Sequence, residues 1–314
     1  MNKRLRRTLI WGYIAALLLF TLYAALDTFV IPHRMTAVSA AEQAQAALTG
    51  EAQSAAAQVT SAQHLDTGGE VVGTYEDDDT SIVITKVREY NTDIYIADIL
   101  VSDVSALRSA FAEGTYGRNV KEDTSDIAAS NDAVLAINGD FYGSRTQGYV
   151  IRNGVLYRDS ADSDAEGLAL FADGGFAMYR ESEIPAADLL AQGAVQAWSF
   201  GPALLADGEI AVTENEEVGR AMASNPRTAI GFVSDLHYVF VVSDGRTSES
   251  TGLSLSELAK VMRSVGVTDA YNLDGGGSST LVFQGEVLNH PTTNGRRVDE
   301  RAVSDIIYIG RKTT

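Results

Sequence analysis

The sequence predicts an α+β domain, a mixed, strand-rich sheet with several hairpins and a few packed helices, preceded by an N-terminal transmembrane helix. Three observations predict it. Short apolar runs rich in Val, Ile and Tyr recur from Ser81 to Gly310, separated by Asn-Gly and Asp-Gly pairs that favour tight turns. Within that stretch only Ser254 to Gly266 carries full helix punctuation. Ahead of it, a basic tip precedes a long uncharged run.

Lys3, Arg4, Arg6 and Arg7 precede the uncharged run Thr8 to Leu26. Its nineteen residues, at ~1.5 Å each, span roughly 28 Å, the thickness of a bilayer's hydrocarbon core. The apolar core of a cleaved signal is shorter, ~7–15 residues. Residues 1–34 therefore read as a cytoplasmic basic tip and an uncleaved signal anchor, with the body outside the cytoplasm. The alternative is cleavage after Val38-Ser39-Ala40 and secretion, but Asp27, His33 and Arg34 separate that triplet from the apolar run. Residues 35–80 read as an Ala/Gln-rich spacer and acidic linker. Thr36 to Gln63 is helical by propensity but has no apolar stripe to bury. Glu76-Asp77-Asp78-Asp79 reads as a solvated loop. The body is assigned to 81–314, and a chain starting near Leu65 is expected to fold alone.

Within the body, Ile82, Ile84 and Val87 alternate toward solvent and core, as do Ile94, Ile96 and Ile99, predicting paired strands. Val104 to Phe111 and Asp126 to Ala129 read as short helices, and Val134 to Ile137 as a buried strand. Hairpins are expected at Asn153-Gly154, Asp173-Gly174-Gly175 and Ser234-Asp235. The stretch Asp162 to Asp173 has calcium-loop-like spacing, but Glu166 is atypical and the flanks read as strands. Ser254 and Glu257 form a capping box, Leu255, Leu258, Ala259, Met262 and Val265 follow helical spacing, and Gly266 supplies the stop. Strands Ala270 to Leu273, Leu281 to Phe283 and Asp305 to Ile309 complete the body.

Composition removes several chemistries. With no cysteine there is no disulfide, thiol nucleophile or Cys-ligated zinc. The four histidines, His33, His64, His237 and His290, are scattered, which argues against a multi-His metal centre. The formal charge is −18, and residues 1–34 hold five basic side chains against Asp27 alone, so the remainder is more acidic still. Such a body repels nucleic acid, and no nucleic-acid partner is expected. An anionic substrate must be met by a few local arginines.

Three apolar runs end in polar turns that hold Gly and Asp: Asn138-Gly139-Asp140, Ser243-Asp244-Gly245-Arg246, and Asn272-Leu273-Asp274-Gly275-Gly276-Gly277-Ser278-Ser279-Thr280. Buried strands that deliver polar residues at their ends commonly build sites. Asp207-Gly208 reads as a plain turn, whereas three glycines followed by Ser-Ser-Thr exceed what a turn needs. Gly275 to Gly277 allow close backbone approach and an anion nest. No Gly-Lys-Ser/Thr and no following helix make this a phosphate-binding P-loop or dinucleotide fingerprint. Pro226 fixes the entry of Arg227, a candidate to hold a phosphate in a bidentate fork. His290 is the histidine nearest this chemistry, and no G-x-S-x-G elbow accompanies it.

These residues, in this order, resemble the phosphodiester glycosidase family. The resemblance rests on Ala136 to Tyr142, Asn225 to Gly231, Val242 to Arg246, Thr251 to Ser254 and Ala270 to Thr280, with Arg301 and Val303 before the last strand, and covers roughly residues 80–310. It implies hydrolysis of the glycosidic bond of a sugar-1-phosphodiester, of the N-acetylglucosamine type, in a cell-surface or exopolysaccharide glycan. Asp140, Asp244, Asp274 and Arg227 are the catalytic candidates. Asn138, Gly139, Arg246, Asn272, Gly275, Gly276, Gly277, Ser278, Ser279 and His290 are the binding candidates. No organic cofactor is called for. The carboxylates are available as base, nucleophile or ligands to a divalent cation, calcium or magnesium, and their roles stay open. Two other readings compete: a non-catalytic phosphoglycan-binding module, and a metal-dependent phosphodiesterase that cuts P–O.

Overall fold

The computed structural model describes residues 3–38, 63–163, 165–212 and 224–311. Its first element is the helix Lys3–Phe29, whose apolar stretch Leu9–Phe29 is long enough to cross a membrane and has no residue of its apolar core buried in the body. The three other α-helices among the described residues, Thr124–Ser130, Ala186–Ala191 and Leu255–Ser264, all belong to the body.

The central layer is an eight-stranded sheet. Its spatial order is Glu209–Ile210, Ala203–Ala206, Asp269–Asn272, Arg227–Ser234, His237–Ser243, Thr92–Val101, Thr80–Glu89 and Glu70–Glu76. Period-2 alternation sorts its side chains to two faces. Ile94, Ile96, Val239 and Val241 pack with Leu258 and Met262 of the Leu255–Ser264 helix. Tyr95, Ala97, Ile99, Tyr238 and Phe240 face the other way, into a core shared with Leu135, Ile137, Ile307, Leu168 and Trp198. Those partners come from two five-stranded sheets. One orders Glu286–Val287, Leu281–Phe283, Ala133–Asn138, Asp305–Gly310 and Leu107–Phe111. The other orders Phe176–Arg180, Glu166–Phe171, Ala194–Trp198, Val150–Arg152 and Val155–Arg158.

The hairpins form where the turn residues predict them. Asn153 and Gly154 both take positive φ, 52° and 78°, as a two-residue turn requires. The Asp173 carboxylate accepts from the Gly175 amide, closing the second turn, and Glu166 lies in a strand. The Leu255–Ser264 helix carries its capping box, with Glu257 N donating to Ser254 Oγ (3.2 Å) and Ser254 N to Glu257 Oε2 (2.8 Å).

Three expectations change. Every ladder among the described residues is antiparallel, so the sheets are not mixed. Val104 to Phe111 is not a helix. Asp103 caps a single turn, Val104–Ala106, and Leu107–Phe111 then pairs with Asp305–Gly310; so short an isolated helix cannot recover its nucleation cost, whereas the strand gains a ladder. The boundary at 81 falls inside a hairpin, because Glu70–Glu76 pairs with Thr80–Glu89 along most of its length. The acidic run is its turn: Asp77 Oδ1 accepts from the amides of Asp79 and Thr80. The spacer's residues 39–62, including Ser39 and Ala40, lie outside the described residues.

Two attachments tie the flanking chain to the body. His33–Arg34 pairs with Gly117–Arg118, and the amide of Val38 donates to the carbonyl of Leu156. At the far side of the spacer, Asp98, 1% exposed, accepts from Leu65 N (2.7 Å), with His64 Nδ1 at 2.8 Å and His237 Nε2 at 2.5 Å. Burial works against the Asp98 charge, but the bonds from His237, Leu65 and His64 outweigh it and hold its carboxyl below the usual range.

A chain beginning at residue 63 is therefore expected to unfold cooperatively, and one beginning at residue 81 to aggregate, because it bares the Thr80–Glu89 strand and leaves Asp98 with His237 alone. Asp98→Ala in the full body is expected to cost about 3 kcal/mol or more, read by denaturant titration. Because the folded pKa of Asp98 is depressed, its contribution is fully present above the unfolded carboxyl value of about 3.9 and is lost as pH falls through the folded value.

Candidate functional site

The antiparallel order brings five strand ends together: the exits of Ala133–Asn138, His237–Ser243 and Asp269–Asn272 and the entries of Arg227–Ser234 and Leu281–Phe283. Asn138, fully buried, stitches them. Its Oδ1 accepts from Thr228 Oγ1 (2.8 Å) and Thr280 N (3.3 Å), and its Nδ2 donates to the Asp274 carbonyl (2.6 Å). Gly139 follows with no room for a side chain, since a Cβ would stand 2.1 Å from Asp305 Oδ1. Its carbonyl accepts from the Asp274 amide.

Asp274 lies at the opening, its side chain 13% exposed. Its Oδ2 accepts from Ser278 Oγ (2.7 Å) and Arg301 Nη2 (3.0 Å), and Arg301 also donates through Nε to Ser278 Oγ (2.9 Å). Burial raises the Asp274 carboxyl above its ordinary value, while Arg301 and Ser278 pull against that rise. Arg246 approaches from the other side. It donates to Asn225 Oδ1 (3.2 Å) and the Thr293 carbonyl (2.6 Å), and its own pKa is lowered by burial and by the neighbouring Arg301 charge, with Asp274 opposing. Two guanidinium groups and one carboxylate thus share a small, partly desolvated volume, where an anion finds charge that the body otherwise denies it.

The glycines serve this approach. Gly276 has φ +66°, and a Cβ there would meet Arg246 Nη2 at 2.7 Å; one at Gly277 would meet Thr293 Oγ1 at 2.5 Å. The expected anion nest is reduced, because the Gly276 amide is already donated to the Pro226 carbonyl (2.8 Å). Beside the loop, Asp244 (5% exposed) accepts from His290 N (2.7 Å) and lies 3.1 Å from His290 Nδ1, while the imidazole is 60% exposed. A carboxylate on Nδ1 orients the ring and leaves Nε2 as the basic nitrogen facing outward.

Other candidates lie deeper. Arg227 is 6% exposed, beneath Gly275, with its Nε donated to the Leu253 carbonyl (2.9 Å). The guanidinium groups at the opening are Arg246 and Arg301. Ser279 is fully buried, and the side chain of Asn272 donates to Gly201 O rather than toward Asp274. Asp140 is fully buried in an ion network. Arg152 Nη2 lies 2.9 Å from its Oδ1, Ser199 N donates to its Oδ2 (2.9 Å), and Arg152 Nε donates to Asp305 Oδ2 (2.9 Å). Burial pushes the Asp305 carboxyl up; burial also opposes the Arg152 charge, but Asp140 and Asp305 more than offset it. Arg301 was carried by the family resemblance alone, and Arg152 and Asp305 had no sequence signal beyond their strands. Among the described residues no group of three or more His, Asp or Glu is placed to hold a metal ion.

A buried-sheet scaffold with a carboxylate, two arginines and an Asp–His pair at converging strand ends has the chemistry to hold a small anionic ligand. The phosphodiester glycosidase profile matches residues 131–310, more than half of the chain, and the chain belongs to that family. A prophage-derived, uncharacterized protein of Bacillus subtilis is 31% identical over 199 residues, covering 62% of this chain and 30% of its own length. The mouse N-acetylglucosamine-1-phosphodiester α-N-acetylglucosaminidase is 29% identical over 182 residues, covering 53% of this chain and 35% of its own. The chain thus spans about a third of the length of these curated relatives. The catalytic domain of the zebrafish enzyme of that name, solved in a state auto-inhibited by its pro-peptide, shares the fold. Its TM-score is 0.60 at 22% identity, over 74% of this chain and 83% of that one. A hypothetical protein from Synechocystis superposes with TM-score 0.51 at 18% identity, over 73% of this chain and 62% of that one.

The two kinds of carboxylate separate by stability. Asp140→Ala, which leaves Arg152 buried with half of its counter-charge, is expected to lose about 3–5 kcal/mol in a denaturant titration. Asp274→Asn is expected to change stability by less than about 1 kcal/mol, because the site lies at an opening and its burial already works against the charge.

Proposed function

We propose that the chain hydrolyses the bond between the anomeric carbon and the phosphate oxygen of an N-acetylglucosamine-type sugar-1-phosphodiester, in a bacterial cell-surface or exopolysaccharide glycan. In this reading the body lies outside the cytoplasm, behind the N-terminal helix. Family membership supports the reaction class. The observation that carries it is the Asp274 carboxylate held between Arg301 and Ser278, with Arg246 beside it.

The chemistry suits that set. A phosphodiester leaves as a stable anion, so departure needs charge stabilisation more than protonation. Arg246 and Arg301 would take the diester oxygens in charge-assisted hydrogen bonds that strengthen as the C–O bond breaks. Asp274 would face the positive charge that develops on the sugar ring. His290, oriented by Asp244, would take the proton of the attacking water. Asn138 and Gly139 would position Asp274 through its backbone. A calcium or magnesium ion at these carboxylates is a separate proposal, decided by running the same assay with a chelator and with each ion restored.

The test is hydrolysis of a synthetic methyl diester of N-acetylglucosamine 1-phosphate in ¹⁸O-labelled water. The label is expected in the released sugar. Label in the phosphate would instead establish a phosphodiesterase, and binding without turnover a phosphoglycan-binding module. Asp274→Asn, Arg301→Gln and Arg246→Ala are each expected to lower kcat/KM by about 10²–10³. The pH profile gives a second check. Arg301 opposes the burial that raises the Asp274 carboxyl, so Arg301→Gln should raise it further. If Asp274 works ionised, the acid limb of kcat/KM then moves to higher pH; an unmoved limb would assign that limb to another group.

A further inference from the structure

The end of the N-terminal helix is fastened to the body at one particular edge. Asn119 Nδ2 donates to the carbonyls of Thr28 (3.1 Å) and Ile31 (3.2 Å), taking up backbone acceptors where the helix stops. Arg118 Nη2 lies 3.8 Å from Asp27 Oδ2, the amide of Met35 donates to the carbonyl of Tyr116, and His33–Arg34 pairs with Gly117–Arg118. If the helix spans a bilayer, residues 116–119 lie at its surface. Val38 and His64, on either side of residues 39–62, are both bonded to the body, so the described residues 30–38 set the distance between the helix end and the body.

The same edge leads directly to the candidate site. Glu122, three residues after Asn119, exchanges both backbone hydrogen bonds with Val303. Ser125 donates to Glu300 through both its amide and its hydroxyl. Between Glu300 and Val303 stands Arg301, the residue bonded to Asp274. Followed along the chain and across that bridge, the path from Asn119 to Arg301 is at most roughly 23 Å. A body of this size is roughly 45 Å across, so Arg301 lies within about half of that width of the helix end.

The composition of this edge departs from the acidic average of the body. Val298 is 66% exposed and is preceded by Arg296 and Arg297. Arg34 and Arg297 are largely exposed, 3.9 Å from Glu113 and 3.7 Å from Asp299, and Lys121 lies over the partly exposed ring of Phe141. Val298, an exposed apolar tip between the paired Arg297 and Asp299, and Phe141 beneath Lys121 suit the boundary of lipid headgroups and acyl chains, with Glu122, Asp123 and Glu300 beside them offsetting the basic charge.

We propose that the site works at the bilayer surface and that its sugar-1-phosphodiester substrate is lipid-linked, presented from the membrane to the edge that carries Arg301. This rests on the glycosidase reading and on the N-terminal helix being retained. In such a substrate the diester lies at headgroup depth, where Arg301 and Arg246 would meet it, and the released sugar leaves toward solvent.

Two measurements on the full chain in phospholipid vesicles test this. The chain has no cysteine, so Val298→Cys and Asp235→Cys can each be labelled alone with an environment-sensitive fluorophore. Asp235 lies in the turn at the opposite ends of the Arg227–Ser234 and His237–Ser243 strands. The label at 298 is expected to blue-shift and to be quenched by quencher-bearing lipids, and the label at 235 to do neither. Equal behaviour at both positions overturns the proposed edge, whatever the activity. The second measurement compares the soluble methyl diester with a long-chain alkyl diester of the same sugar phosphate embedded in the vesicles. The Arg297→Glu/Val298→Asp double variant is expected to lower turnover of the embedded diester about tenfold, through lost local concentration, and to leave the soluble one unchanged. Equal loss on both overturns the lipid-linked assignment, as does a preference of the unaltered chain for the soluble diester. Turnover of neither diester overturns the glycosidase reading and the substrate assignment together, while the label still decides the edge.

Discussion

The buried Asp140–Arg152–Asp305 network is the interaction on which the rest of the site depends. Arg152 belongs to one five-stranded sheet and Asp305 to the other, and Asp140 closes the gap between them. All three side chains are at most 1% exposed. A buried arginine between two carboxylates is not a cheap source of stability, because each charge loses its hydration. It does select one relative placement of the two sheets, since any slip strands a charge. That placement sets Gly139 against Asp305, and Gly139 and Asn138 in turn bind the backbone of Asp274. The position of the carboxylate at the opening is thus fixed from below by carboxylates that never reach solvent.

Much of the fold was legible because its signals are local. Asn153-Gly154 needs two positive φ values that few residue pairs supply cheaply, and the Ser254–Glu257 box satisfies helix-end donors that would otherwise go unpaired. The strands of the central sheet were legible through their period of two. What failed was non-local. Nothing within Val104 to Phe111 says that a distant strand, Asp305–Gly310, will pair with it. Nothing in the polar, Ala-rich stretch before residue 81 says that Glu70–Glu76 will extend the sheet, or that His64 and Leu65 will find Asp98.

The candidate site shows the same division. Asp274 and its glycines stood out because three consecutive glycines are costly unless something must come close, and what comes close is Arg246 and Thr293. Its partner Arg301 lies in an irregular loop among three arginines, and only the resemblance singled it out. Arg227 and Asp140 drew notice for the right reason, a polar residue at the end of a buried strand, yet such a residue can serve either the opening or the scaffold beneath it. Burial separates the two uses: Arg227 spends its Nε on the Leu253 carbonyl and Asp140 is held by Arg152, whereas Arg246 and Arg301 extend to solvent.

Charge joins the site to its setting. An acidic body suppresses the approach of polyanions from every direction, so whatever anion the site accepts must come where the field is locally reversed. The arginines that reverse it, Arg246 and Arg301, are not free side chains on an acidic surface. Arg301 is anchored on Asp274 and Ser278, and Arg246 on Asn225 and the Thr293 carbonyl. Such anchoring fixes the side chains before the ligand arrives, so the ordering cost of two long side chains is met on folding rather than on binding. It also limits what can bind. A single phosphodiester group can bridge two guanidinium groups flanking one carboxylate, while a more highly charged ligand would be driven against Asp274 itself. In the proposed function, preference for a singly charged diester over a free monophosphate would then come from the carboxylate as much as from the arginines.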